Sequence, residues 1–308
     1  MRILITGISG GIARPLAQQL SILGHEVFGI DRRPWPDHPP SIQVFNVDVR
    51  KRPAEDVFRL HRPEAVIHMA TVTHLTARQK ERYRINLGGT QTIFEHCHTY
   101  GVKQALFIGR HTVYGAAPDA PLYRTETEPP LATATYPALA DLVAADLFAG
   151  SALWRYPQLD TTVLRLAYTL GPSMRGTLAS FLGPQLGQRV PTILGFDPLF
   201  QVMHESDAVS AIIAALNARL RGVYNVAGPP PMPLSVLCRQ VNRVPFPLPE
   251  PLYTMITKRL SLTSLPYSAR DHIKYPVVIQ DQPFRSLTGY EPDIDQMNLL
   301  ASFKSYSR

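Results

Sequence analysis

Apolar and polar positions come in alternating blocks along the first half of the chain. Residues 2–6 form a short apolar run that ends in a glycine-rich turn. Residues 12–23 place Ile12, Leu16, Leu20 and Leu23 at helical spacing, and Gly24 follows where a helix C-terminal glycine belongs. Further strands are predicted over 26–30, ending at Asp31, over 43–47, ending at Asp48, and over 65–69, 105–108 and 162–166. Helices are predicted over 52–60, 81–100 and 136–148. Strand and helix in alternation imply an α/β fold: a doubly wound parallel sheet with right-handed crossovers and helices on both faces. Beyond residue 170 the alternation loosens into proline-rich loops and short elements, which predicts a smaller C-terminal cap region.

The turn after the first strand carries the most specific chemistry. It reads Thr6-Gly7-Ile8-Ser9-Gly10-Gly11-Ile12-Ala13, so Gly7, Gly10 and Ala13 are spaced three apart between a strand and a helix. Gly7 allows a sharp turn, and Gly10 lets backbone approach a diphosphate with no Cβ in the way. Small Ala13 lets the helix pack on the sheet, and the helix N-terminus offers free N–H groups to the anion. Asp31 follows at the end of the second strand, where a carboxylate accepts hydrogen bonds from an adenosine ribose. The same stretch satisfies G-x-S-x-G through Gly7, Ser9 and Gly11, but a hydrolase nucleophile needs several strands upstream and only six residues precede Gly7. The sheet is therefore expected to be of the Rossmann type. Residues 1–170 are expected to form its dinucleotide-binding domain, with 200–228 returning to it and 171–308 mostly a substrate-binding cap.

Composition narrows the classes. With 45% hydrophobic and 18% charged residues the chain carries enough apolar side chains for a core and is not disordered. No apolar run of about 18 residues stands out, so no membrane span is expected. The formal charge is +7, but the basic residues are scattered, six of the 31 being lysines, and this argues against nucleic acid as a partner. Cys97 and Cys238 cannot build a disulfide framework, which fits a reducing, cytoplasmic setting. His96-Cys97-His98 has ligand chemistry, yet adjacent helix residues point apart, so no metal is expected.

Further motifs lie along the chain: Asp48-Val49, Val66-Ile67-His68-Met69-Ala70-Thr71, Asn86 with Gly89-Thr90, Val113-Tyr114-Gly115, Tyr136, Leu164-Arg165-Leu166, Gly171-Pro172, 203–207 and 223–226. With these the chain resembles, over essentially its whole length, an extended short-chain dehydrogenase/reductase of the NAD-dependent epimerase/dehydratase family. Residues 194–205 are similar to a UDP-glucose 4-epimerase-like subgroup known for irregular active sites. The resemblance implies NAD as cofactor, a small-molecule substrate of the nucleotide-sugar kind, and a homodimer built from helices near 81–100 and 136–150. It implies cofactor contacts at Gly7, Ser9, Gly10, Gly11, Ile12, Asp31, Arg32, Asp48, Val49, Met69, Ala70, Thr71, Asn86, Ile108, Gly109, Tyr136 and Ala167. Arg32-Arg33 leave NADP open, but Asp31 would repel its 2′-phosphate, so NAD leads.

The resemblance also exposes two departures. Family chemistry uses a tyrosine, a lysine four residues later, and a serine or threonine four residues before the Tyr-Gly that follows the fifth strand. The tyrosine is Tyr136, but the lysine position holds Ala140 and the hydroxyl position holds Arg110. An unperturbed phenol titrates near 10, so Tyr136 needs a nearby cation to act near neutrality. In one reading Arg110 supplies that charge and His111, titrating near neutrality, supplies the proton. In another the protein binds dinucleotide without turnover, as a sensor or scaffold. In a third, a lysine distant in sequence reaches the site. The second departure concerns the substrate: an arginine that contacts substrate phosphate in nucleotide-sugar enzymes is matched by Phe200, with Arg175, Arg189 and Arg270 as cap-region alternatives. His204 and Asp207 are expected to tie cap to sheet, and His68, His74 and Tyr114 to be mainly packing residues.

Overall fold

A computed structural model describes residues 1–72, 79–183, 188–259 and 270–306. His74 lies outside them. The centre is a seven-stranded sheet in which every pairing is parallel. Its strands are β1 (Arg2–Thr6), β2 (Glu26–Ile30), β3 (Ile42–Phe45), β4 (Ala65–His68), β5 (Gln104–Arg110), β6 (Asp160–Leu166) and β7 (Gly222–Val226). They lie in the order β7-β6-β5-β4-β1-β2-β3. The chain runs outward from β1 to β3, returns to β4 on the other side, and so makes a crevice at the carboxyl ends of β1 and β4. Four consecutive residues of β1 and all four of β4 are buried, as a strand covered on both faces requires.

Helices α1 (Ala13–Ile22), α2 (Arg52–His61), α3 (Gly89–Thr99), α4 (Ala140–Arg155) and α5 (Glu205–Asn217) cover the two faces. Helix α1 buries Ala13, Leu16, Ala17 and Leu20, one stripe, against the sheet and α5. A third apolar cluster, around Leu182, Ile193, Leu237 and Phe303, forms the core of the C-terminal region.

Two predicted helices differ from what is found, each for a local reason. The stretch predicted as one helix over 81–100 is Gln79–Tyr83, a π-helical turn over Arg84–Gly88, and then α3. A π turn inserts an extra residue, and Asn86 lies within it. The helix predicted from 136 begins instead at Ala140. Pro137 excludes helical backbone at the residue before it, and Tyr136 accordingly has φ −141° and ψ 76°. Residues 137–155 are also long and apolar enough to cross a membrane by length and composition alone. They lie against the sheet, with Asp141 and Asp146 buried beneath them.

Candidate functional site

A cavity of about 400 Å³ opens at the β1–β4 crevice. The first-strand turn forms one wall through Gly7, Gly10, Gly11, Ile12 and Ala13. Gly7 takes φ +75°, and its N–H donates to the Ile30 carbonyl at 2.7 Å. Gly10 N–H donates to Gly7 O at 2.9 Å, closing the turn, while the Gly11 and Ile12 amides find no backbone acceptor among the described residues. Unengaged N–H groups at the start of a helix that faces a cavity make an anion site.

Asp31 lines the cavity on the β2 side. Its carboxylate accepts from Ser9 N at 3.1 Å and Arg33 N at 2.9 Å, which fixes its direction. Ser9 itself is buried and does not line the cavity: its hydroxyl donates to Arg33 O at 2.8 Å. Arg32, Asp48 and Val49 complete this end. Arg50 clamps Asp48 through Nε at 2.9 Å and Nη2 at 2.6 Å, and that hydrogen bonding holds the Asp48 carboxyl below its ordinary range.

Toward β4 and β5 the wall continues through Met69, Ala70, Thr71, Ile108, Gly109 and Ala167. Asn86 lies behind it, fully buried. Asn86 Oδ1 accepts from Val72 N at 2.7 Å and Nδ2 donates to Val72 O at 3.0 Å, so Asn86 shapes the loop after β4 without lining the cavity. His68 is also structural. Thr90 donates to the Asn86 carbonyl, so it accepts from His68 Nε2, and His68 Nδ1 accepts from Thr6 Oγ1 at 2.6 Å. Burial pushes its pKa down to about 3.

The far end holds Arg110, His111, Thr112, Tyr168 and Thr169. Arg110 is the last residue of β5, and its half-buried guanidinium makes no hydrogen bond or ion pair with any described residue. Burial lowers its pKa to about 10. His111 Nδ1 donates to Leu166 O at 3.0 Å, which leaves Nε2 as a buried acceptor with no partner. Burial, ahead of the nearby His272 and Arg110 charges, pulls His111 down to about 3. It is therefore neutral, and the expectation of a proton donor titrating near neutrality does not hold. Thr112 was not singled out from the sequence, yet it puts a hydroxyl residue into this wall two positions beyond Arg110.

Tyr136 does not line the cavity. It packs among Val113, Leu139, Leu142 and Val143, with its ring 5.6 Å from that of His272. Its hydroxyl has no hydrogen-bond partner among the described residues, and burial raises its pKa further above the ordinary 10. Arg110 and His111 share the cavity wall, and Tyr136 lies one side chain behind it, within electrostatic reach of the wall residue Tyr168. Tyr114 is structural: it donates to Asn225 Oδ1 at 2.8 Å and accepts from Arg165 Nη1 at 2.8 Å.

Residues 173–175, beyond β6, lie against the turn. Arg175 Nη1 donates to Ser9 O at 3.2 Å, and Ser173 touches the space in front of Gly11. Glu205 takes both Ser173 N and Ser173 Oγ as donors, pinning that segment. Arg175 lines the cavity, whereas Arg189 lies over the Phe246 ring and Arg270 pairs with Glu250. His204 caps α5 by accepting from Ser206 N, a contact local to its own helix, whereas buried Asp207 on α5 accepts from Asp293 N, 86 residues farther along the chain. His96 and His98 pack on different neighbours, Phe58 and Tyr156, and no group of three ligand residues gathers among the described residues.

A parallel sheet with a glycine-rich turn at its switch point and an acid after β2 defines a Rossmann-type dinucleotide-binding class. The chain belongs to the NAD dependent epimerase/dehydratase family, whose model matches residues 3–227, and so to the extended short-chain dehydrogenase/reductases. An uncharacterized protein of Mycobacterium tuberculosis is 27% identical over 275 residues, covering 86% of this chain and 71% of the relative. A 3-diazoavenalumate denitrifying reductase of a Streptomyces species is 28% identical over 278 residues, covering 84% and 87%. Among solved structures, Thermus thermophilus UDP-glucose 4-epimerase in complex with NAD superposes with a TM-score of 0.80 at 21% identity, covering 100% of this chain and 99% of that one.

Proposed function

We propose that this protein is an NAD(H)-dependent oxidoreductase acting on a small hydroxylated substrate of the nucleotide-sugar class, without the family's tyrosine–lysine pair. The observation that carries this reading is a single cavity running from Asp31, past the glycine turn, to Arg110, His111 and Thr112. The residues fit the cofactor. The Gly11 and Ile12 amides take its diphosphate, Asp31 accepts from the adenosine ribose, and Met69, Ala70, Thr71, Ile108, Gly109 and Ala167 flank its other half. Ser9 orients Asp31, and Asn86 holds the loop after β4. The Asp31 carboxylate facing that ribose favours NAD over NADP, although Arg33 stands 3.5 Å from it.

When bound, the nicotinamide gives or takes a hydride. The chain's own residues then position the substrate. Thr112 offers a hydroxyl, His111 Nε2 accepts a hydrogen bond, and the Arg110 guanidinium donates without releasing its proton. Proton handling by Tyr136 forms no part of this reading. The Streptomyces relative is named a reductase; in that direction the oxyanion left by hydride addition would be held by the Arg110 guanidinium and would take its proton from solvent entering the cavity. The second reading, dinucleotide binding without turnover as a sensor or scaffold, draws on the same vacancy at Ala140.

The assay is nicotinamide absorbance of purified protein with NADH or NAD and a panel of sugar nucleotides, alongside thermal shift. Turnover supports the oxidoreductase. A thermal shift with no turnover leaves the binding module, and no shift with either nucleotide ends both readings. A reducing, cytoplasmic setting fits the two buried free thiols, Cys97 and Cys238. A homodimer through the α4 face fits the exposure of Leu147 at 52% and Trp154 at 80%. Light scattering should show a dimer that Trp154→Glu dissociates; a monomeric wild-type protein refutes it.

A further inference from the structure

The far end of the cavity concentrates unspent hydrogen-bonding capacity. Among the described residues the Arg110 guanidinium has no anion beside it and His111 Nε2 has no donor, and Tyr168, whose ring packs 4.4 Å from that of His111, lines the same wall. A guanidinium taken partly out of water without a counter-charge is costly, and so is a buried acceptor left bare. Such groups persist where a ligand completes them.

The cofactor's diphosphate is not that ligand. Its cradle follows β1, whereas Arg110 ends β5, two strands away and about 10 Å across the sheet. Register places Thr6 beside His68 and His68 beside Phe107, so Arg110 projects three residues farther along its strand. Arg175 already stands at the cradle, on Ser9 O. Arg110 thus faces the substrate end of the cavity.

We infer that this end recognises a hydroxy-carboxylate: Arg110 and Tyr168 hold the carboxylate, and His111 Nε2 accepts from a hydroxyl on the same molecule. The fork of a guanidinium matches two carboxylate oxygens. The fixed His111 tautomer demands a donor, which a carboxylate alone cannot supply. The substrate class proposed above is thereby narrowed from hydroxylated compounds to those that also carry an acid group; the inference rests on that reading of the cavity.

The test titrates the full-length protein, saturated with NADH, with D-glucuronate, D-glucose and inorganic phosphate by calorimetry. Binding of NADH is measured first, so a failed cofactor site is seen separately from a failed acid site. D-glucuronate should bind about 10- to 100-fold more tightly than D-glucose, the size of a charged hydrogen-bonded contact. Arg110→Met should abolish the preference while NADH still binds, and Tyr168→Phe should weaken it if Arg110→Met does not fold. Three results overturn the inference: equal or absent binding of the two sugars, a preference that survives Arg110→Met, or phosphate displacing D-glucuronate at Arg110 with higher affinity, which would make the ligand a phosphate instead.

Discussion

Gly7 and Gly10 lie three residues apart in one turn, and their replacement by alanine should separate folding from cofactor binding. At Gly7 an added Cβ would sit 2.8 Å from the Met69 carbonyl carbon and oxygen and 2.9 Å from Ala70 Cα. All three are backbone atoms, so no rotamer change relieves the clash. The φ of +75° adds about 1–2 kcal/mol for any L side chain, and the overlap about 1–3 kcal/mol more. Gly7→Ala should therefore lose about 2–5 kcal/mol of stability. At Gly10 the nearest atoms to an added Cβ are Gly7 O at 3.1 Å and Ala13 Cβ at 3.6 Å, a contact that a shift of a few tenths of an ångström relieves. Gly10→Ala should stay within about 1 kcal/mol of the parent in urea unfolding. Its Cβ, however, stands where the diphosphate must approach. If affinity falls 100-fold, NADH at 100 times the parent Kd stabilises the parent by about 2.7 kcal/mol and the variant by about 0.4 kcal/mol. Thermal shift with and without NADH reads this directly. A Gly10→Ala protein that keeps the parent's full NADH shift would refute the placing of the diphosphate on this turn.

Tyr136→Phe removes a buried hydroxyl with no partner, so it should be neutral or raise stability by about 1 kcal/mol and leave any turnover intact; a rate that collapses with no loss of fold would return the phenol to the mechanism. Asp146 and Arg165, both nearly fully buried, pair through Nη2 at 2.6 Å. Asp146→Asn should cost about 3–5 kcal/mol in urea unfolding, whereas the double change Asp146→Leu with Arg165→Leu should recover much of it; equal losses in single and double variants would contradict this. His68 and His111 are pulled to about 3 and His272 to about 4, all mainly by burial. Because these folded values lie below the ordinary 6.5, the unfolded chain binds more protons in acid. Stability should be level above pH 6.5 and fall below it, by up to about 4 kcal/mol per pH unit when all three contribute. Urea unfolding midpoints that stay flat down to pH 5 would show that these rings are not buried and neutral together.

The parts of the fold that were legible in the sequence are those governed by local rules. The apolar runs of β1 and β4, the stripe on α1 and the glycines after β1 each read out over a few residues, and the cavity wall from Gly7 to Ile12 follows from them. Tyr136 shows where that logic stops. Its position relative to the Tyr-Gly after β5 is a matter of alignment, but whether its hydroxyl reaches the cavity depends on Pro137, which turns the backbone out of the helix, and on His272, whose ring comes from 136 residues farther along. Ser173 and Glu205 were hidden for a related reason: they meet across 32 residues to clamp the cap onto Gly11, and neither is a distinctive residue type at that spacing. The Arg110 substitution was visible at once, because a charge replacing a hydroxyl stands out against a motif. Its lack of an ion-pair partner among the described residues was not, since pairing is a property of three dimensions. On the function proposed above, the pocket lacks an ammonium at Ala140 and carries at Arg110 a guanidinium with no ion-pair partner among the described residues, so its positive charge stands at the substrate rather than at the tyrosine. That displacement changes what the charge can do: beside a phenol it would lower a pKa, whereas beside an open cavity it selects an acid.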